Sequence, residues 1–218
     1  MRATATLIFV LGWGLTCGAA EAPETGEPRV FLTDAARLVA VRARVAAGDP
    51  ALKPAMDALL AEAQDALAAG PFTVTDKPMA PPSGDKHDYM SLGPYWWPDP
   101  RKPDGLPYIR RDGEVNPETR AYDREPLGQM NSAVETLALA YFLTEHEPYA
   151  QHAARLLRVW FLDDQTRMNP HLKYGQAIPG RVEGRGIGII DTMSLPRLLD
   201  AVGMLHASEA WTPEDQQG

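Results

Sequence analysis

Five stretches of the chain repeat apolar residues at three- and four-residue steps, and none alternates them at two. A chain patterned in this way can bury its surface only by packing helix against helix. The first stretch carries Leu38, Val41 and Val45, with Thr33 as the expected cap and Gly48 as the stop. The second carries Leu52, Met56, Leu59, Ala63 and Leu67; Pro54 marks its start or a kink, and Gly70 and Pro71 end it. The short Gly48-Asp49-Pro50 link makes these two an antiparallel pair. The third places Leu127, Met130, Val134, Leu137 and Tyr141 on one stripe, and the fourth, opened by Pro148, carries Tyr149, Ala153, Leu156, Leu157, Trp160 and Phe161. A fifth, capped by Ser194, carries Leu195, Leu198, Leu199, Val202 and Leu205. Thr212, Pro213, Glu214 and Asp215 then announce a sixth, with acidic residues where the helix dipole favours them. The reading is all-α, built from antiparallel helix hairpins, with no strand.

Two long connections interrupt this plan, residues 71–126 and 164–192, and structureless loops of that length are usually functional. The first contains HDYMSLGPYWWPDPRKPDGLPYIRRDGEVNPE, where Tyr95, Trp96 and Trp97 lie among prolines and near Arg101, Arg110 and Arg111. Flat apolar rings with a polar handle suit stacking on a pyranose; the alternative is that they pin the loop onto the helices. The second loop presents Asn169, His171, Lys173, Tyr174, Gln176, Arg181, Glu183 and Arg185, spaced by glycines that permit unusual turns. Arg181 and Arg185 suit bidentate pairing with carboxylates, and Gln176 or Asn169 can hydrogen-bond a carboxyl group without adding charge. The competing reading has the arginines brace the loop by pairing with Glu183, Asp191 or Asp123. A lone loop histidine such as His171 is more often a hydrogen-bonded surface residue than a base.

A net charge of −8 argues against general nucleic-acid binding, so any acidic ligand needs a local basic site. The five histidines have no metal-ligand spacing, RGIGIID is not a dinucleotide fingerprint, and no Gly-x-Ser-x-Gly elbow occurs. No metal or other cofactor is expected. At the N-terminus, Arg2, an apolar run from Leu7 to Leu15 and small residues through Ala20 and Ala22 read as a secretory signal over residues 1–22. The run is too short to span a bilayer, so no stable membrane insertion is expected once it is cleaved. A flexible lead-in over 23–30 and a domain over 31–218 follow. Cys17, the single cysteine, raises a lipoprotein signal as the rival, but Gly14-Leu15-Thr16 is a poor lipobox. The expected location is a bacterial periplasm or the cell exterior.

The segments SLGPYWWPDP…GLPYIRRDGEVNPE and MNPHLKYGQAIPGRVEGRGIGIIDT together resemble the alginate lyase family of polysaccharide lyases, from about Met79 onward. The resemblance implies an (α/α) toroid with a loop-lined carbohydrate cleft, here incomplete, and β-elimination on alginate or a related polyuronate. That chemistry neutralises the C6 carboxylate, removes the C5 proton and protonates the leaving oxygen. In metal-free enzymes that resemble this one, an Asn-His pair serves the first two steps, with Arg and Tyr nearby. No Asn-Asn-His segment occurs in the 218 residues, and Pro170 separates Asn169 from His171. The main catalytic segment is therefore expected beyond residue 218, and this chain is read as an N-terminal fragment. Within it, the candidates are Gln176 and Arg181 for carboxylate neutralisation and His171 or Tyr174 for proton transfer. Substrate would be bound by Tyr95, Trp96, Trp97, Arg110, Arg111, Asn169 and Arg185. Two alternatives stand beside this reading: a hydrolase using two of Asp88, Asp99, Asp123 and Glu183, and a non-catalytic carbohydrate-binding helical protein. Hairpins ending half way round a toroid would expose apolar faces, so poor stability or self-association is expected.

Overall fold

The computed structural model describes residues 27–218, so the signal segment read at residues 1–22 lies outside the described residues. Each periodic stretch is a helix: α1 (Ala35–Ala46), α2 (Lys53–Ala66), α3 (Arg124–Thr144), α4 (Glu147–Leu157) and α5 (Leu195–Leu205). The short α6 (Pro213–Gln217) opens with a capping box between Thr212 and Asp215. The longest helix, α3, is central and packs against α1, α2, α4 and α5. Met130, Val134, Leu137, Ala138 and Ala140 of α3 are fully buried, as are Ala150, Ala153 and Ala154 of α4, whose small side chains let the two axes approach. Each large apolar side chain buried in this way contributes roughly 1.5–3 kcal/mol. Glu145, in the left-handed region at φ 55°, ends α3, and Pro148 stands in the first turn of α4. A wide π turn over Arg158–Leu162 finishes α4 and directs Trp160 wholly into the core.

Two caps differ from expectation. Asp34, not Thr33, caps α1 by accepting from the Arg37 backbone N–H at 3.0 Å. Thr33 belongs instead to a strap, because Asp200 of α5 accepts hydrogen bonds from the backbones of Phe31, Leu32 and Thr33 and from the Thr33 hydroxyl. Of the segment read as a flexible lead-in, residues 27–30 run into this strap, with Pro28 buried and Val30 packed on the core. At Gly203 the Arg29 carbonyl approaches so closely that a Cβ would lie 1.9 Å from its oxygen. Ser194 precedes α5 without capping it, since its hydroxyl accepts from the buried Asn131 amide.

The expectation of no strand is corrected. Four short strands lie inside the two long loops: β1 (Met90–Leu92), β2 (Trp96–Trp97), β3 (Ile109–Arg110) and β4 (Tyr174–Ala177). β1 pairs in parallel with β4, joining the first loop to the second, and β2 pairs antiparallel with β3. Both β1 and β4 are buried on every residue, which removes the alternation that would have marked them.

The first loop is fastened to the start of α3 by a buried ion pair. Lys77 Nζ lies 3.0 Å from Asp123 Oδ2, and neither side chain has more than 1% exposure. The ammonium also donates to the carbonyls of Val74 and Lys86, and Asp123 Oδ2 accepts the Met90 N–H at 2.7 Å. Burial lowers the Lys77 pKa and raises that of Asp123 to about 6. Lys77→Met should cost roughly 3–5 kcal/mol in urea unfolding, because it strands the carboxylate. K77M/D123N, which keeps an acceptor for Met90, should regain most of that loss. At the other end, Asp215 is brought down to about 2, chiefly by the Arg158 guanidinium. Its folded pKa lies below the reference of 3.8, so the stabilisation is complete above pH 4 and fades as pH falls toward 2. Asp215→Asn should therefore lose about 1–2 kcal/mol at pH 7, with the gap to the natural chain closing near pH 2 in parallel thermal scans.

Candidate functional site

The two loops meet on Asp191. Its carboxylate, without solvent exposure, accepts from the Ser91 hydroxyl at 2.5 Å, the Tyr89 hydroxyl at 3.1 Å and the Gln176 amide at 3.0 Å. Ser91 Oγ in turn accepts the Gln176 backbone N–H at 2.7 Å. Burial and the adjacent Asp191 charge keep the Tyr89 hydroxyl protonated throughout the working range. Arg124, at the start of α3, brings its Nε to 3.4 Å from Asp191.

Gln176 is buried and sits at φ 55°, unusual for a residue other than glycine. Its contacts hold it there: Arg185 donates from Nε to the Gln176 carbonyl at 2.8 Å and from Nη2 to its Oε1 at 2.9 Å. Oxygen and nitrogen of the Gln176 amide are thus both engaged inside the protein. Instead of reaching a ligand carboxyl, as its residue type suggests, this amide aligns Arg185 with Asp191. A buried amide takes the nearest partners that satisfy it, and here they come from its own loop.

Arg185 and Trp96 converge over Gly93, where a Cβ would lie 2.8 Å from both Arg185 Nη2 and Trp96 Cδ1. The Arg181 guanidinium lies over the Trp96 ring, 5.2 Å from its centroid, held by a 2.7 Å hydrogen bond to the Tyr108 carbonyl. Neither arginine pairs with Glu183, Asp191 or Asp123, so bracing by ion pairs is not what is found. Both are oriented by neutral carbonyl and amide groups, and among the described residues neither has a carboxylate within ion-pair distance.

The structure brings Trp96, Arg181 and Arg185 together, and Tyr95, Trp97, Arg110 and Arg111 lie on or beside the same β2–β3 ribbon that carries Trp96. There Arg111 stacks 4.9 Å over Trp97 and lies 3.7 Å from Glu114, while Arg110 pairs with Asp112 at 2.9 Å. Trp97 donates to the Glu114 carbonyl, and Tyr95 is exposed. Trp96 and Trp97 are half-buried, so they anchor the loop and still present surface.

Asn169, His171 and Tyr174 form a second group just before Gln176. Buried Asp88 accepts from Ser83 at 2.7 Å and from the Asn169 amide at 2.6 Å, and His171 Nε2 lies 3.0 Å from its Oδ1. Burial works to raise the Asp88 pKa, but these donors outweigh it and hold the carboxyl below its usual range. The half-exposed His171 ring is thereby fixed on one nitrogen, 6.3 Å edge-on from the buried Tyr174 ring. Beyond β4 lies a cleft of about 470 Å³ lined by Met79, Met90, Ala177, Ile178, Arg181 and Glu183, among others.

Of the four carboxylates a hydrolase could use, Asp88 and Asp123 are buried and engaged as described, and Asp99 is closed by Arg101 at 3.0 Å. Only Glu183 is exposed, which leaves no pair to flank a glycosidic bond. Among the described residues no group of three or more His, Cys, Asp or Glu gathers to hold a metal ion.

Sequence reasoning passed over Arg124, Lys77 and the hub role of Asp191. A signal existed for Arg124: a cation in the first turn opposes the helix dipole, which asks what holds it there. The second-loop glycines serve another purpose than expected. Only Gly180 among them has positive φ; Gly175 and Gly188 lie back to back, and a Cβ on Gly184 would come within 1.9 Å of the Lys173 carbonyl oxygen.

A family model described as Alginate lyase matches residues 73–218. A crystal structure of an alginate lyase from Bacteroides ovatus is similar at 50% sequence identity and a TM-score of 0.82, over 88% of this chain and 50% of that one. No curated protein matches. The chain belongs to the alginate lyase family. It spans about half the length of that solved structure.

Gly184→Ala should push the two backbone segments of the second loop apart and leave the helices intact. Limited proteolysis should then cut within residues 164–192 sooner than in the natural chain. Gly186→Ala, where a Cβ meets nothing within 4 Å, should cut at the natural rate.

Proposed function

We propose that the chain is the loop-bearing part of a polysaccharide lyase that binds alginate or a related uronic-acid polymer for β-elimination, its hairpins forming part of an (α/α) toroid. The observation that carries this reading is the pair Arg181 and Arg185 beside Trp96, oriented only by neutral groups. Their charge is available to a C6 carboxylate while the indole offers an apolar surface to a pyranose ring. Membership of the alginate lyase family supports the substrate class.

In the elimination, a guanidinium on the C6 carboxylate stabilises the charge that develops as the C5 proton leaves. A base takes that proton, the electron pair forms the C4–C5 double bond, and the leaving oxygen is protonated. His171 is the candidate base within this chain, because Asp88 anchors its Nε2 and leaves Nδ1 facing only a long 3.4 Å approach from the Lys173 N–H. Tyr174, the other candidate, is buried beside it. Gln176 acts here by positioning Arg185, while Asn169 supports Asp88. Residues 1–22 would direct export, placing the protein in the periplasm or outside the cell.

The test is ultraviolet absorbance of unsaturated product when the chain is incubated with alginate, other polyuronates and neutral polymers. Arg181→Gln and Arg185→Gln should each raise KM about tenfold. His171→Ala should lower kcat on the order of 10²-fold or more with little change in KM. Equal affinity for neutral and acidic polymers, or cleavage to saturated ends only, would sink the reading.

A further inference from the structure

We propose that Arg124 is a further carboxylate-binding residue of this site, extending the row of Arg185 and Arg181 to the first turn of α3. The inference rests on the polyuronate reading above and adds to it a place for a second acidic sugar. Arg124 stands where the positive end of a 21-residue helix disfavours a cation, so its retention there is not explained by helix formation. Its side chain is 48% exposed, and its one ionic contact is the 3.4 Å approach of Nε to Asp191. That is longer than a charge-assisted hydrogen bond of about 2.7–2.9 Å. Among the described residues its terminal nitrogens have no hydrogen-bond partner.

Asp191 does not need Arg124 to satisfy its oxygens, because Tyr89, Ser91 and Gln176 already donate to them. The carboxylate therefore aims the arginine without closing its fork. The contrast with other arginines is chemical: Arg110, Arg158 and Arg167 each place a terminal nitrogen within 2.9 Å of a carboxylate. Arg124 also has a fixed relation to Arg185, since one amide links them. Gln176 Nε2 meets the same Asp191 oxygen that Arg124 approaches, and Gln176 Oε1 receives Arg185. Arg185 in turn shares the Gly93 contact with Trp96, whose ring carries Arg181. Three guanidiniums are thus linked through one chain of contacts, in which Asp191 is the only carboxylate. A ligand with several carboxylates, such as an acidic polysaccharide, can engage more of these guanidiniums than a single uronic acid can.

The experiment is a tryptophan-fluorescence titration of the chain with oligouronates and with carboxyl-reduced oligomers of the same length. Arg124→Gln and Arg124→Lys would be compared with the natural chain and with Arg37→Gln on α1 as a charge control. Thermal unfolding of each variant checks the fold. The expected result is that R124Q weakens oligouronate binding about tenfold and R124K less, with a shallower salt dependence. R37Q should be unchanged, and all four proteins should bind the reduced oligomers equally. Oligouronate affinity equal to the natural chain in R124Q would overturn the proposal, as would a matching loss toward both oligomers, which marks a structural role. If the natural chain binds neither oligomer, or prefers the reduced one, the polyuronate reading itself fails and this inference falls with it.

Discussion

A lysine and an aspartate with almost no access to water decide where the irregular half of this molecule goes. Burying two charges is unfavourable unless geometry and extra hydrogen bonds offset the lost hydration. Here the offset comes from the carbonyls of Val74 and Lys86 on the Lys77 side and the Met90 N–H on the Asp123 side. Because Asp123 immediately precedes α3 and Met90 begins β1, the pair fixes the first loop against the central helix. β4 then takes its register from β1, and Gln176 and Asp191 take their places from β4. Asp88 and Asp200 repeat the device, each gathering donors from segments distant in sequence. Buried carboxylates, more than apolar burial, give the long connections their shape.

The helices were legible because their apolar spacing is a property of neighbouring residues, and tertiary contacts only confirmed it. Caps were less so: Thr33 and Asp34 are both good caps by residue type, and only the presence of Asp200 on a helix far along the chain decides between them. Strands of two to four residues, buried throughout and bordered by proline and glycine, carry no period to read. The same limit applied to the site. Arg181, Arg185 and Trp96 were picked out by type and do converge, whereas the Gln176 amide is taken up by Arg185 and Asp191, because a buried amide's partners depend on the fold around it. The partners of Lys77 and Arg124, Asp123 and Asp191, lie far along the chain, where no local pattern points to them.

Of the two readings of the aromatic cluster, loop anchoring has a direct structural counterpart, and sugar stacking belongs to the proposal. Trp96 and Trp97 lie in a two-residue strand that ties down the loop, and each has an arginine over its ring. A chain of net charge −8 repels an acidic polymer at long range, so its cations must act at contact distance, inside a Debye length of about 8 Å. Holding Arg181 and Arg185 with carbonyls and an amide meets that need. The Arg110–Asp112 pair, closed by its own carboxylate, does not.

The parallel joint between β1 and β4 also bears on how such a surface comes into being. Ser91 and Gln176 meet across 85 residues of chain, and α3 and α4 lie within that interval. Closing so long a loop is entropically unfavourable until the intervening helices have condensed, so contacts of this kind form late in folding. The contacts of Gln176 with Arg185 beside this joint are expected to form late as well. Neither loop can be exchanged alone between relatives: a transplanted first loop would arrive without its strand partner, and specificity would have to be moved by grafting both together.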